Sequence, residues 1–458
     1  MAQSTAVILV VGLNEELLRG PAPRLQRLRS AGRMCRLRPV LPAVTCSVQS
    51  SMLTGVVPRH HGIVGNGWYG RDLAEVQFWK QSNHLVQGEK VWETARRRDP
   101  SVTCANMFWW YNMYSSADYS VTPRPIYKAD GRKIPDVYSR PAELRLRLQA
   151  ELGTFPLFQF WGPGSAIASS RWIAEATIRV HRWHRPTLTL VYLPHLDYAL
   201  QRFGPDHPSS AAAVAEVDAE VGRLLDYFDS AGVRCMVLSE YGIESVEGAA
   251  AVNRHLRQAA WLAVREEQGL ELLDAGASRA FAVADHQVAH IYARDRADVS
   301  ALAELCAGIP GVGQVLGADA MAAAGLDHAR AGDLVLVADR GRWFSYYYWL
   351  DDRRAPDFAR CVDIHRKPGY DPCELLLDPG LRAPKLRIAW RLLQKSLGFR
   401  TLLDVIPLEA GLVRGSHGRV DLPPEQQPVM ITAADFTGSA AEVPCTQVRD
   451  VILGHLFS

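Results

Sequence analysis

Residues 42–66 read PAVTCSVQSSMLTGVVPRHHGIVGN. The stretch opens on a proline and places Thr45 and Cys46 where a helix would begin. It then breaks at Gly55 and closes on a loop rich in Gly and Asn. A hydroxyl at the mouth of a helix can do one of two things. It can cap the helix, or it can serve as a nucleophile beside backbone N–H groups that favour a bound phosphate. The rest of the chain has to decide between them.

On either side lie short continuous apolar runs that read as buried strands: AVILVV (6–11), VTCANMF (102–108), TLTLVYL (187–193), CMVLS (235–239), LVLVAD (334–339) and PVMIT (428–432). Between them are segments with helical spacing, above all 211–232, which stops at Gly232 just before the next strand. Strand–helix–strand alternation predicts an α/β fold, a three-layer sandwich with a mainly parallel central sheet. In such sheets ligands gather at the carboxyl ends of the strands. Two stretches break the rhythm, 109–165 and 343–408. Both are rich in aromatic residues and read as insertions or lids on a single unit spanning 1–458.

Composition narrows the function. Among 458 residues, 51 basic side chains face 49 acidic ones, a net charge of +2 that gives no general reason to bind a nucleic-acid duplex. The eight cysteines are scattered without a CxxC pair, which points to reduced thiols rather than disulfides or a zinc knuckle. No run of 18 apolar residues is present, so no membrane span is expected, and the apolar start reads as the first strand. A cytoplasmic location is the expectation.

Three strand ends carry the chemistry. The run ending at Leu193 leads into His195 and Asp197, and the run ending near Leu238 leads into Ser239, Glu240 and Tyr241. His417 stands between glycines a few residues before 428–432. A parallel sheet would deliver them to the same edge as Thr45. Asp197, Glu240 and His417 form a hard oxygen and nitrogen set suited to one divalent cation, zinc or manganese. Taken singly, each has a duller role as cap, ion-pair partner or loop residue.

Taken in order, these segments resemble the nucleotide pyrophosphatase/phosphodiesterase branch of the alkaline phosphatase superfamily. The similarity runs from about residue 6 to 432, with 343–408 poorly matched, and residues 42–66 fit best. EKVWETA (89–95), NMFWW (106–110) and the stretch from VDAEVGRLL to VLSEYG also match. The resemblance implies an alkaline phosphatase-like fold and a hydrolase of phosphodiester or pyrophosphate bonds. Its substrate would be a small phosphate-containing molecule. By position Thr45 is the nucleophile, and Asn66 helps hold the phosphoryl oxygens.

The departures are specific. The family's two-metal site takes an Asp after the first strand, the Thr, an Asp-then-His pair four apart, an adjacent Asp-His and a C-terminal His. Here the first Asp position is Val11, Asp197 is followed by Gln201, and the Asp-His pair reads Glu240-Tyr241. Three readings stay open. One ion could bind at Asp197 and His417 with Glu240, helped by Asp363 and His365 or by Asp285, His286 and His290. The site could work without metal through Thr45 or Cys46. Or the chain could be an inactive relative that only binds a phosphorylated ligand.

Overall fold

The computed structural model describes residues 2–432 and 440–458. Its centre is the strand Thr5–Val10, whose six residues TAVILV are all buried. A strand with no polar face must be covered on both sides, and this one pairs in parallel with Leu188–Leu193 and with Arg234–Leu238. The register sets Leu9 beside Tyr192 on one flank and Leu238 on the other.

These strands belong to a nine-stranded sheet in the order Glu442–Pro444, Arg33–Arg38, Val429–Thr432, Arg234–Leu238, Thr5–Val10, Leu188–Leu193, Cys104–Met107, Tyr119–Pro123, Val137–Arg140. The run from Arg234–Leu238 to Tyr119–Pro123 is parallel. Val429–Thr432 pairs antiparallel on both of its sides, and Val137–Arg140 closes the far edge antiparallel. Helices cover both faces, giving the three-layer sandwich expected. On one side the long helix Pro208–Ser230 packs with Ile167–His184, His195–Phe203 and Pro23–Ala31. A second group joins Thr45–Thr54, Val91–Arg98 and Val448–Phe457.

The strand at Leu334–Ala338 is not part of the central sheet. It pairs with Val288–Ala293 and Val312–Leu316 in a second, antiparallel four-stranded sheet that begins with Ala280–Asp285. An apolar run gives a strand but not the sheet it joins, because that choice rests on partners far away in sequence. Residues 109–165 likewise supply two strands to the central sheet and the helix Glu143–Leu152. Residues 343–408 hold short turns and the helix Pro384–Ser396.

Candidate active site

Because Thr5–Val10, Leu188–Leu193 and Arg234–Leu238 run in parallel, Val11, Asp197 and Glu240 emerge at the same edge of the sheet. The helix Thr45–Thr54 starts there too, and all ten of its residues are buried. It ends at Gly55, in the left-handed region at φ +75°, where a Cβ would stand 2.8 Å from Arg449 Cδ. The cap position is Val44, which offers no side-chain hydrogen bond. The Thr45 hydroxyl is therefore not spent on capping. It lies 3.2 Å from the Tyr241 hydroxyl.

Tyr241 also donates to Asp197 Oδ1 at 3.3 Å, and Gln201 Nε2 donates to Oδ2 at 2.9 Å. The Gln201 carbonyl in turn accepts from the Tyr370 hydroxyl at 2.7 Å. Gly242, next to Tyr241, cannot carry a side chain: its Cβ would fall 1.8 Å from the Gln426 carbonyl oxygen. Glu240 accepts from Gln49 Nε2 at 2.8 Å through one oxygen. Its other oxygen, Oε1, is buried without a hydrogen-bond partner, and the Thr45 hydroxyl is close enough to help stabilise the charged carboxylate.

His417 is held by Nδ1, 2.8 Å from the Ala43 carbonyl. That contact makes Nδ1 the protonated nitrogen and leaves Nε2 with a free lone pair. Nε2 is buried without a partner and lies 3.9 Å from Asp197 Oδ1. The ring stacks on Tyr241, at 3.6 Å between centroids, and meets His286 at a tilt of 38°, at 3.8 Å. His286 is bonded to Asp285 at 2.7 Å and stacks on Tyr370. Asp285 accepts from both the backbone and the side-chain amide of Asn66, whose Oδ1 accepts from the Cys46 N–H at 3.0 Å.

Burial dominates the electrostatics. It pushes the Asp197 carboxyl up to about 7, Glu240 to about 8 and Asp285 to about 6. It drives His286 and His417 well below the ordinary histidine value, so both are neutral. None of the residues in this network is a lysine or arginine. At neutral pH Glu240 is mostly protonated, Asp197 sits near its midpoint and Asp285 is mostly ionised, all beside neutral imidazoles.

The structure thus brings together Thr45, Asn66, Asp197, Glu240 and His417, with Asp285 and His286 of the expected substitute ligands beside them. It sends other candidates elsewhere. His195 pairs with Glu216 at 2.7 Å, and His290 is tied to the Val64 carbonyl and the Gly332 N–H. His365 packs against Tyr127, and the Asp363 backbone N–H bonds Glu374. Tyr370 and Gln49 carry no signal in the sequence. Tyr370 lies in the segment that matches the family least, and Gln49 is one polar residue inside a buried helix.

Residues 5–371 match the type I phosphodiesterase/nucleotide pyrophosphatase family. The chain belongs to this family. It is 25% identical over 260 residues to an uncharacterized pyrophosphatase/phosphodiesterase of Schizosaccharomyces pombe, covering 53% of this chain and 45% of that protein. It is 24% identical over 234 residues to ectonucleotide pyrophosphatase/phosphodiesterase family member 1 of Rattus norvegicus, covering 49% and 22%. The match therefore spans less than half the length of either relative. Among solved structures, phosphonoacetate hydrolase from Sinorhizobium meliloti 1021, in complex with phosphonoformate, superposes with a TM-score of 0.64 at 16% identity, over 99% of this chain and 96% of that one. Murine ectonucleotide pyrophosphatase/phosphodiesterase 5, in complex with AMP, gives 0.60 at 14% identity, over 99% and 94%. Both share the fold.

The family's two-ion centre does not fit these residues. Val11 is apolar and fully buried, and Tyr241 and Gln201 direct their donors at Asp197. Among the described residues no three His, Cys, Asp or Glu side chains form a group able to hold an ion. Asp197 and His417 are left as a pair of donors, short of the three protein ligands a catalytic zinc ordinarily keeps.

Proposed function

We propose that this chain cleaves a phosphodiester or pyrophosphate bond in a small molecule by attack of the Thr45 hydroxyl, with Glu240 as the general base. The observation that carries the reading is a Thr45 hydroxyl not spent on capping, in the neighbourhood of the buried Glu240 carboxyl, whose Oε1 makes no hydrogen bond. A free threonine hydroxyl is a weak nucleophile and needs a base or a metal. A carboxyl lifted to about 8 is matched to that task, since a base works best near the operating pH. In the step, Oγ1 of Thr45 bonds to phosphorus, its proton passes to Glu240, and the bond from phosphorus to the leaving oxygen breaks. Water then bonds to phosphorus, the bond from phosphorus to Thr45 Oγ1 breaks, and a proton from that water restores the threonine hydroxyl.

The substrate class rests on the family and on the small phosphorus-containing anions, AMP and phosphonoformate, held by two proteins of the same fold. The single zinc or manganese ion expected at Asp197, Glu240 and His417 has no part in this reading. The eight cysteines, all buried and unpaired, support a reducing compartment, in keeping with a cytoplasmic site of action.

A second reading, binding without turnover, is favoured by Asn66. Both ends of its amide are engaged inside the protein, Oδ1 by the Cys46 N–H and Nδ2 by Asp285, which leaves it no free donor to hold a transferring phosphoryl group. One experiment separates the two. The purified chain is incubated with a nitrophenyl phosphodiester and with ATP, and product release is followed beside the intact protein mass. Turnover with a phosphoryl adduct that disappears in Thr45→Ala supports hydrolysis. Saturable binding of AMP with no turnover in either protein supports the binder.

A further inference from the structure

The helix Pro384–Ser396 is turned inside out relative to an ordinary surface helix. Its apolar stripe, Leu386, Trp390, Leu393 and Leu397, recurs at helical spacing and faces solvent, with exposures of 73%, 58%, 49% and 68%. Its cationic side faces inward, where Arg387 and Arg391 both reach Asp404, and Ile388 packs on the small core that includes Val405 and Ile406. The apolar surface continues past the helix through Phe399, 63% exposed. About half of the large apolar side chains exposed among the described residues fall within 386–403. A concentration of that kind marks an interaction surface.

Charge says what kind. Between Asp378 and Asp404 the chain carries six Lys or Arg and no Asp or Glu; Arg387 and Arg391 pair with Asp404, which leaves Arg382, Lys385, Lys395 and Arg400. Arg382 and Lys385 are exposed beside the stripe. The neighbouring hairpin Ile126–Tyr127 with Lys133–Ile134 extends the same character. Arg400 donates to its Ala129 carbonyl at 2.7 Å, and Tyr127 is 56% exposed. Leu, Trp and Phe on one face with basic residues at its margins is the pattern of a helix that lies in a lipid interface. At thirteen residues it is about 20 Å long, too short to cross a bilayer.

We propose that the face formed by helix Pro384–Ser396 and the residues up to Leu403 docks on an anionic lipid bilayer, with Trp390, Leu393 and Leu397 entering the headgroup region. An acidic protein partner would satisfy the charge but would not need so many apolar side chains turned outward. A bilayer uses both. The proposal is independent of the chemistry at Thr45.

The test is co-sedimentation of the full chain with vesicles of phosphatidylcholine alone and of phosphatidylcholine with phosphatidylglycerol. Binding should require the anionic lipid and weaken as salt rises. Trp390→Ser with Leu397→Ser should weaken it at least about tenfold, and Arg382→Glu with Lys385→Glu at least about 25-fold, since each basic residue near the surface contributes roughly fivefold. These side chains are exposed, so the variants should fold, as circular dichroism would verify. Failure of the wild-type chain to sediment with anionic vesicles at low salt overturns the proposal, as does equal binding by the variants. A wild-type dimer in ultracentrifugation that Trp390→Ser dissociates, with no lipid binding, would assign the face to a second copy instead.

Discussion

The imidazole of His417 lies flat against the phenol ring of Tyr241, with centroids 3.6 Å apart and planes 6° from parallel. A tyrosine stands where relatives are expected to present a metal-binding histidine, and it covers the face of the histidine that is kept. Its hydroxyl joins Thr45 to Asp197. At this position the side chain supplies hydrogen bonds.

Metal content should follow that arrangement. After chelation and dialysis into zinc or manganese, elemental analysis of the wild-type chain is expected to give substoichiometric metal. Gln201→His combined with Tyr241→His removes both donors from Asp197 and restores two imidazoles, and should raise zinc retention to stoichiometric. Stoichiometric zinc in the wild type would contradict the account of the site.

Thr45→Ala should lower diester turnover at least about a thousandfold while leaving the melting temperature within a few degrees, because the hydroxyl makes one long contact and caps nothing. Turnover that survives the substitution would move the nucleophile elsewhere.

The pH profile reports on Glu240. As a general base it works only when ionised, so the rate should rise with pH and level off above about 8. Glu240→Gln should remove the rising limb along with the activity. A rate that falls between pH 7 and 9 would exclude Glu240 as the base.

Stability carries a second pH signature. The Asp197 carboxyl is raised by burial from its ordinary 3.8 to about 7 in the folded chain. Between those values the unfolded chain has released a proton that the folded chain retains, so this group favours unfolding increasingly as pH rises. Asp197→Asn should therefore gain stability over wild type between about pH 4 and pH 7, on the order of 2–4 kcal/mol in total, and change little above that. Urea denaturation at several pH values measures the difference, and a gap that does not vary with pH would refute the assignment.

Lys367 provides a test of the segment that carries Tyr370. Its ammonium is fully buried between Asp371 at 2.7 Å and Glu374 at 2.8 Å. Lys367→Met leaves two buried carboxylates without their cation and should cost about 3–5 kcal/mol in denaturant unfolding. A loss below about 1 kcal/mol would show that water reaches the pair.

The sequence by itself determined the sheet and the edge where the chemistry sits. Continuous apolar runs such as TAVILV cannot be half exposed, and parallel strands deliver Asp197 and Glu240 to one rim. The departures from the pattern the resemblance implies, at Val11, Gln201 and Tyr241, were legible too. Only the tertiary structure decided what surrounds them. Tyr370 reaches Gln201 across 169 residues, and Asp285 reaches Asn66 across 219. No local periodicity encodes such pairs, because they form only when the second sheet and the 343–408 segment pack against the first. The same holds for helix Pro384–Ser396. Its apolar stripe is written in the spacing of Leu386, Trp390, Leu393 and Leu397. That the stripe faces outward, with Arg387 and Arg391 beside Asp404 on the other side, is seen only in the folded chain.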